Sequence, residues 1–234
     1  MFRSTEDENR RVILETMPRR PGGRLLDLGC GDGAWTLEVA RHVGASDFHG
    51  VEMIEEIASQ ARARHIDVLE ADLSEPLDGY EDGSFDVIHS NQVIEHLRGT
   101  DCFMQEIRRL LAPDGYALIS TNNLSSWHNI LSLVVGWQPT PCNVSDCVNI
   151  GNPLNAYGDY EHSCRGQTHL RVFTAKALTA LARYHGLRPL TECSAGYYPL
   201  PPNIGRHLAR FDRRHGAYLV HLYEREPRFA RHGR

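Results

Sequence analysis

The sequence predicts an α/β protein with a mostly parallel sheet and helices on both of its faces. Three observations carry that prediction. Short apolar runs alternate with helical periods from residue 24 to residue 121, a glycine-rich turn directly follows the first run, and a further helix and two more runs close the chain. Alternation of this kind buries each run between helices and makes the strands parallel.

Each element has its own signal. A helix over Glu8 to Met17 belongs to an N-terminal cap, residues 1–20. The run Leu25, Leu26, Asp27, Leu28, bounded by Pro21-Gly22-Gly23 and Gly29, reads as a buried strand from Arg24 to Leu28. The spacing of Trp35, Leu37, Val39, Ala40 and Val43 predicts a helix over Ala34 to Val43. Strands follow at Phe48 to Glu52, Asp67 to Ala71, Phe85 to Ser90 and Tyr116 to Thr121, with helices at Ile54 to Arg64 and Asp101 to Leu111. The Ala112 to Gly115 turn, "APDG", ends the second of these helices. Residues 21–122 are expected to form one half of the domain, which the turn after the first strand marks as cofactor-binding. Past Asn123 the pattern breaks for about fifty residues, a length that usually has a task. Residues 123–172 are therefore expected to be an insert after the fifth strand that covers the substrate. A helix at Thr174 to His185, a strand near Leu187 to Cys193 and a last strand at Ala217 to Glu224 complete one domain, within residues 173–234.

Composition narrows the class. With 234 residues, 41% of them hydrophobic and 8% aromatic, the chain can bury one sizeable core. A formal charge of −5 gives no general attraction to nucleic acid, and the cluster Arg206, Arg210, Arg213 and Arg214 reads as a solvated face. The longest apolar stretch, Ile130 to Trp137, is far too short to span a bilayer, and the first residues lack the apolar segment of a signal peptide. A cytoplasmic protein with no membrane span is expected, a monomer or homodimer whose six cysteines are reduced.

The turn "GCGDGA", Gly29 to Ala34, satisfies the dinucleotide pattern G-x-G-x-x-(G/A), with Glu52 at the distance of a ribose ligand. Its charges argue against a pyrophosphate, because Asp27 and Asp32 would face phosphates with no lysine or arginine in the turn. No G-x-x-x-x-G-K-(S/T) loop is present, which excludes a nucleoside-triphosphate loop. S-adenosylmethionine fits better: it has no phosphate, and its ammonium and sulfonium gain a partner in an acid.

The ordered set "LLDLGCGDG", "GVEM", "EADL", "FDVIHSNQVIEHL" and "LLAPDGYALIST" resembles the class I S-adenosylmethionine-dependent methyltransferases, especially the small-molecule enzymes. The resemblance covers Arg24 to Asn122, returns at "HLRVFTAKALTALARYHGL", and is poor between them. It implies a Rossmann-like seven-stranded sheet whose last strand runs antiparallel beside the fifth. It also implies S-adenosyl-L-methionine as cofactor, held by Asp27, Gly29, Gly31, Glu52, Met53, Asp72, Leu73, Asn91 and His96. In that reading Glu52 takes the ribose hydroxyls and Met53 lies on the adenine, while Asp72 and the Leu73 amide meet the adenine edge. Asn91 faces the methionyl ammonium across from Asp27 and Gly29. A helix N-cap role competes for Asp72, and His96 either closes over the cofactor or caps a short helix.

The acceptor is expected to be a small molecule methylated at a hydroxyl or phenol oxygen, with His128 or His169 as base and His162 as a third candidate. Nitrogen or carbon methylation of a small molecule or glycan is the alternative. A cofactor-binding pseudoenzyme and a nicotinamide oxidoreductase are rivals from other classes. No metal is expected: Cys142-x4-Cys147 with His162 and Cys164 lacks the C-x2-C spacing of a zinc knuckle, and Asn91 with Glu95 is too sparse a set for magnesium. The same placement gives metalloid methylation little support. Trp127, Trp137, Tyr157, Tyr160, Tyr197 and Tyr198 suggest a partly aromatic pocket.

Overall fold

The computed structural model describes residues 2–145, 148, 150–153, 168–209 and 211–227. Helix α1 spans Phe2–Thr16, and β1, Arg24–Leu28, is followed by α2, Ala34–Val43. Then come β2 (Asp47–Glu52), α3 (Glu55–Ala63), β3 (Asp67–Glu70), β4 (Phe85–Asn91), a 3-10 turn at Ile94–His96 and α4 (Thr100–Leu110). The remainder is β5 (Leu111–Asn122), α5 (Trp127–Val134), α6 (Ala175–Tyr184), β6 (Leu187–Ala195), α7 (Pro202–Ala209) and β7 (Tyr218–Arg225).

The seven strands form one sheet in the order β3-β2-β1-β4-β5-β7-β6. Strands β1 to β5 pair in parallel, and β7 runs antiparallel to both β5 and β6. This is the Rossmann-like arrangement expected, with six strands in one direction. The "APDG" turn lies inside β5, where the pairing with β4 shifts register between Phe85 and Val87.

Alternation along the strands sends successive side chains to opposite faces. Leu26, Ile88, Ala117 and Ile119 meet Phe103, Met104 and Ile107 of α4 and Leu178 of α6 in one core. Leu25, Val87, Leu118 and Val220 meet Ile13 of α1 and Val39 and Val43 of α2 in the other. Gly33 and Gly44 bracket α2 with φ of 81° and 83°, conformations that glycine adopts without a Cβ penalty. Thr174 caps α6 by accepting from the Ala177 amide.

Three elements depart from the sequence reading. Helix α1 begins well before Glu8, and α7 and α5 were not expected as helices. In α5 the usual amphipathic pattern is inverted: Asn129 and Ser132 are buried, whereas Leu131 and Val134 are 62% and 77% exposed. Asn129 Nδ2 donates to the Asn123 carbonyl at 2.9 Å and Ser132 Oγ to the His128 carbonyl at 2.8 Å, while Asn129 Oδ1 is buried without a hydrogen-bond partner among the described residues.

Candidate active site

Strand order reverses between β1 and β4, and a cavity of about 660 Å³ opens near the carboxyl ends of these strands. That is where open α/β sheets bind ligands. Its lining brings together Gly29, Gly31, Glu52, Met53, Asp72, Leu73, Asn91 and His96 from the turns after four strands. Gly29 has φ 81°, and a Cβ there would lie 2.4 Å from Val93 Cγ2, so a side chain would collide with the cavity wall. Glu52 buttresses the turn: its Oε2 accepts from the Gly31 amide at 3.2 Å and its Oε1 from the Ile54 amide at 3.0 Å. A carboxylate has about four lone-pair positions, so Glu52 keeps capacity for a ligand's hydroxyls. Asp72 Oδ1 accepts from the Ser74 amide at 2.8 Å, the local turn bond that competes with a ligand role. Met53 is 59% exposed on the wall.

Asp27 is placed differently. It is 2% exposed and does not line the cavity. Its Oδ2 accepts from Thr36 Oγ1 at 2.5 Å, and its Oδ1 lies 2.7 Å from His89 Nδ1. Trp35 Nε1 donates to His89 Nε2 at 3.3 Å, so the His89 proton resides on Nδ1 and is donated to Asp27. The acid therefore ties β1 to β4 and to α2 beneath the turn.

Beside the glycine turn the ends of β4 and β5 meet. Asn91 Oδ1 accepts from Asn9 Nδ2 at 3.0 Å, and Asn9 Oδ1 accepts from Ser120 Oγ at 3.1 Å, which fixes α1 across the site. Glu95 is fully buried; burial pushes its carboxyl up to about 7 against hydrogen bonds from Thr121 and Asn122. Its backbone carbonyl accepts from the Leu170 and Arg171 amides at 2.8 and 3.1 Å, which docks the end of the insert on the site. His96 and His169 stand with ring centroids 4.9 Å apart. Burial, reinforced by His169, pushes His96 down to about 4, and burial lowers His169 as well, so both imidazoles are neutral near pH 7. Glu95, His96 and His169 each offer a donor atom within 4.8 Å of the others.

Sequence reasoning missed Asn9, Gln92 and Asn122, and weighed Glu95 only as part of a magnesium set that it set aside. Gln92 carried one signal, its place two residues before the helical turn, but its φ of 58° is a feature of the fold. His128 lies elsewhere: it does not line the cavity, its ring packs on Tyr198 at 5.4 Å, and burial pushes it down to about 4. Of the insert, Thr168 and Leu170 line the cavity, whereas none of Ile130 to Trp137 does. Cys142 is described as a free thiol whose pKa burial raises. Cys147, His162, Cys164, Tyr157 and Tyr160 lie outside the described residues.

A family model described as a methyltransferase domain matches residues 1–192. The chain belongs to this methyltransferase family. Its cofactor is accordingly S-adenosyl-L-methionine, and the protein is an S-adenosylmethionine-dependent methyltransferase of class I. Among curated relatives, a malonyl-[acyl-carrier protein] O-methyltransferase of Erwinia billingiae is 26% identical over 90% of this chain and 78% of its own length. A ubiquinone biosynthesis O-methyltransferase of Neisseria meningitidis is 32% identical over 44% of this chain and 45% of its own. The methyltransferase spans only 31% and 66% of the length of two further relatives. An S-adenosylmethionine-dependent methyltransferase structure from Mesorhizobium loti, 19% identical, matches over 92% of this chain and 96% of its own with a TM-score of 0.62, a likeness of fold. Among the described residues no helix is long and apolar enough to cross a membrane.

Proposed function

We propose that this methyltransferase transfers the methyl group of S-adenosylmethionine to a hydroxyl oxygen of a small molecule. The observation that carries the reading is the group Glu95, His96 and His169, of which His96 lines the cavity and the other two stand directly behind it, next to the cavity-lining Thr168 and Leu170. Methyl transfer is an in-line displacement on an already activated sulfonium carbon, so the protein's main work is alignment and exclusion of water. A hydroxyl acceptor also has to lose its proton. The neutral imidazole of His169 supplies a lone pair for it, and Asn122 Nδ2, 3.4 Å from His169 Nε2, holds that edge of the ring in place. The two relatives whose names specify oxygen methylation support the same chemistry.

In this reading the adenosine lies over Met53, with Glu52 on its ribose and Asp72 and the Leu73 amide on its adenine. The methionyl group runs along Gly29 towards Asn91. The end of the insert at Thr168 to Leu170 covers the acceptor.

The test is a methyl-transfer screen over phenols, sugars, amines and thiols, with the new methyl located by mass spectrometry. A methyl found on oxygen, and a His169→Gln variant slowed about 10²–10⁴-fold with unchanged S-adenosylhomocysteine affinity, is the expected result. His128→Gln should turn over like the wild type. Methylation confined to nitrogen or carbon would overturn the reading.

A further inference from the structure

We propose that Glu95, His96 and His169 bind a divalent first-row metal ion beside the cofactor cavity, where it holds and acidifies the acceptor hydroxyl. What the ion does rests on the oxygen-methylation reading; that it binds does not. It also reassigns the His169 lone pair from the acceptor's proton to the ion.

The hydrogen bonds fix which atoms are available. His96 Nδ1 lies 3.3 Å from the Thr168 carbonyl oxygen, and His169 Nδ1 lies 2.8 Å from that of Pro141. A carbonyl only accepts, so each Nδ1 carries the ring's proton and each Nε2 carries a lone pair. Tying one ring N–H to a backbone carbonyl is how proteins set the orientation of histidines that ligate metals through the other nitrogen.

One amide nitrogen is also shared by three acceptor atoms. Gln92 Oε1, Glu95 Oε1 and His169 Nε2 lie 3.0, 3.1 and 3.4 Å from the same Asn122 Nδ2. An amide nitrogen has two hydrogens for these three acceptors. The Asn122 amide cannot satisfy all three at once, which leaves lone-pair capacity on Glu95 and His169 for a cation beside it. Ligand bonds of about 2.0–2.2 Å set adjacent donors about 3 Å apart, so donors now within 4.8 Å close by an ångström or so on binding. Two imidazoles and one carboxylate favour manganese, cobalt or zinc over magnesium or calcium. Three protein ligands leave coordination positions open, and His96 lines the cavity, so an acceptor oxygen can reach them.

The step balances without electron transfer to the ion. The metal-bound O–H loses its proton to solvent water, the oxygen lone pair forms the new bond to the methyl carbon, and the C–S bond breaks with its electron pair on sulfur. Neutral S-adenosylhomocysteine is left.

The experiment treats the full chain with chelator, removes the chelator, and titrates Mn²⁺, Co²⁺ and Zn²⁺ by calorimetry, with the cobalt absorption spectrum as a second readout. S-adenosylhomocysteine affinity is measured alongside in every variant as the check on folding. One ion per chain is expected, with nitrogen ligation visible in the cobalt spectrum. Affinity should fall at least 100-fold in both His169→Gln and Glu95→Gln, while S-adenosylhomocysteine binding to His169→Gln stays within about threefold of wild type. Absence of stoichiometric binding, or equal metal affinity in wild type and a folded His169→Gln, would overturn the proposal. The two readings separate cleanly. Oxygen methylation that persists in chelator with no metal bound removes the metal site and leaves the histidine base, whereas metal binding with methylation only at nitrogen leaves the site and removes the oxygen reading.

Discussion

Replacing Asp27 separates a structural acid from a cofactor ligand, and the size of the effect can be worked from its two bonds. Thr36 is wholly buried and His89 is 1% exposed, so neither can turn to water if the carboxylate is removed. Asp27→Ala leaves the Thr36 hydroxyl and the His89 Nδ1–H without the acceptor they now share. Each buried orphan costs about 1–3 kcal/mol, which gives about 2–6 kcal/mol for the pair. Asp27→Asn is milder. Its Oδ1 accepts from His89 and its Nδ2 donates to the Thr36 oxygen, so both contacts survive without charge assistance, at a cost of about 1 kcal/mol. Urea unfolding at neutral pH should therefore rank wild type above Asn and Asn above Ala. Calorimetry should find S-adenosylhomocysteine affinity in Asp27→Asn within about fivefold of wild type, less than the tenfold that 1.4 kcal/mol represents. An Asn variant with an unchanged unfolding midpoint and a loss of more than 100-fold in affinity would refute the reasoning and put the carboxylate on the ligand.

Three other perturbations test different parts of the molecule. Asp72→Ala should weaken S-adenosylhomocysteine by about 1.5–3 kcal/mol, the worth of a hydrogen bond to a charged group at this exposed acid, and unchanged affinity would move the adenine contact elsewhere. Gly29→Ala forces a side chain into φ 81° and against Val93, so it should cost about 1–2 kcal/mol in stability from backbone conformation and lower cofactor affinity more than tenfold; a variant that binds normally would contradict the close approach at this turn. His221 is 1% exposed, with Nδ1 2.9 Å from the Tyr223 hydroxyl and 3.4 Å from Thr179 Oγ1, and burial pushes it down to about 4 despite Glu192. Because its folded pKa lies below the unfolded value, the unfolded chain binds the proton first, and stability falls as pH drops from about 6.5 to about 4, by about 2–4 kcal/mol. His221→Gln should abolish that part of the pH dependence of urea unfolding, and an identical slope in both proteins would exclude His221 as its source.

The fold was legible where burial and chain pattern agree. Strands β1 to β5 sit between two helical layers, so their apolar runs and the intervening periods could be read directly. The direction of β7 was not in its residues: alternation in "YLVHLYER" is the same for either direction, and the antiparallel placement came from the family resemblance. Helix α5 was hidden for a different reason. Its apolar residues point outward while Asn129 and Ser132 go inward on hydrogen bonds to backbone carbonyls, so the pattern gave no face that a core would take. The start of α7 did carry a signal, since Pro201-Pro202 suits the first turn of a helix, and it was overlooked.

The site divides along the same line. Its cofactor half is made of turns at strand ends, where a glycine or acid acts through its own backbone geometry, and each such residue announces itself by its position after an apolar run. The acceptor half proposed here is made by convergence. Glu95 is an unremarkable acid until β5 brings Thr121 and Asn122 against it, and His169 is one histidine among thirteen until the returning insert sets it 4.9 Å from His96. Spacing in the chain holds no trace of these contacts, because 72 residues, α4, β5 and α5 among them, separate the two rings in sequence. Local chemistry could therefore name the cofactor, while the chemistry aimed at the acceptor depends on three chain segments meeting.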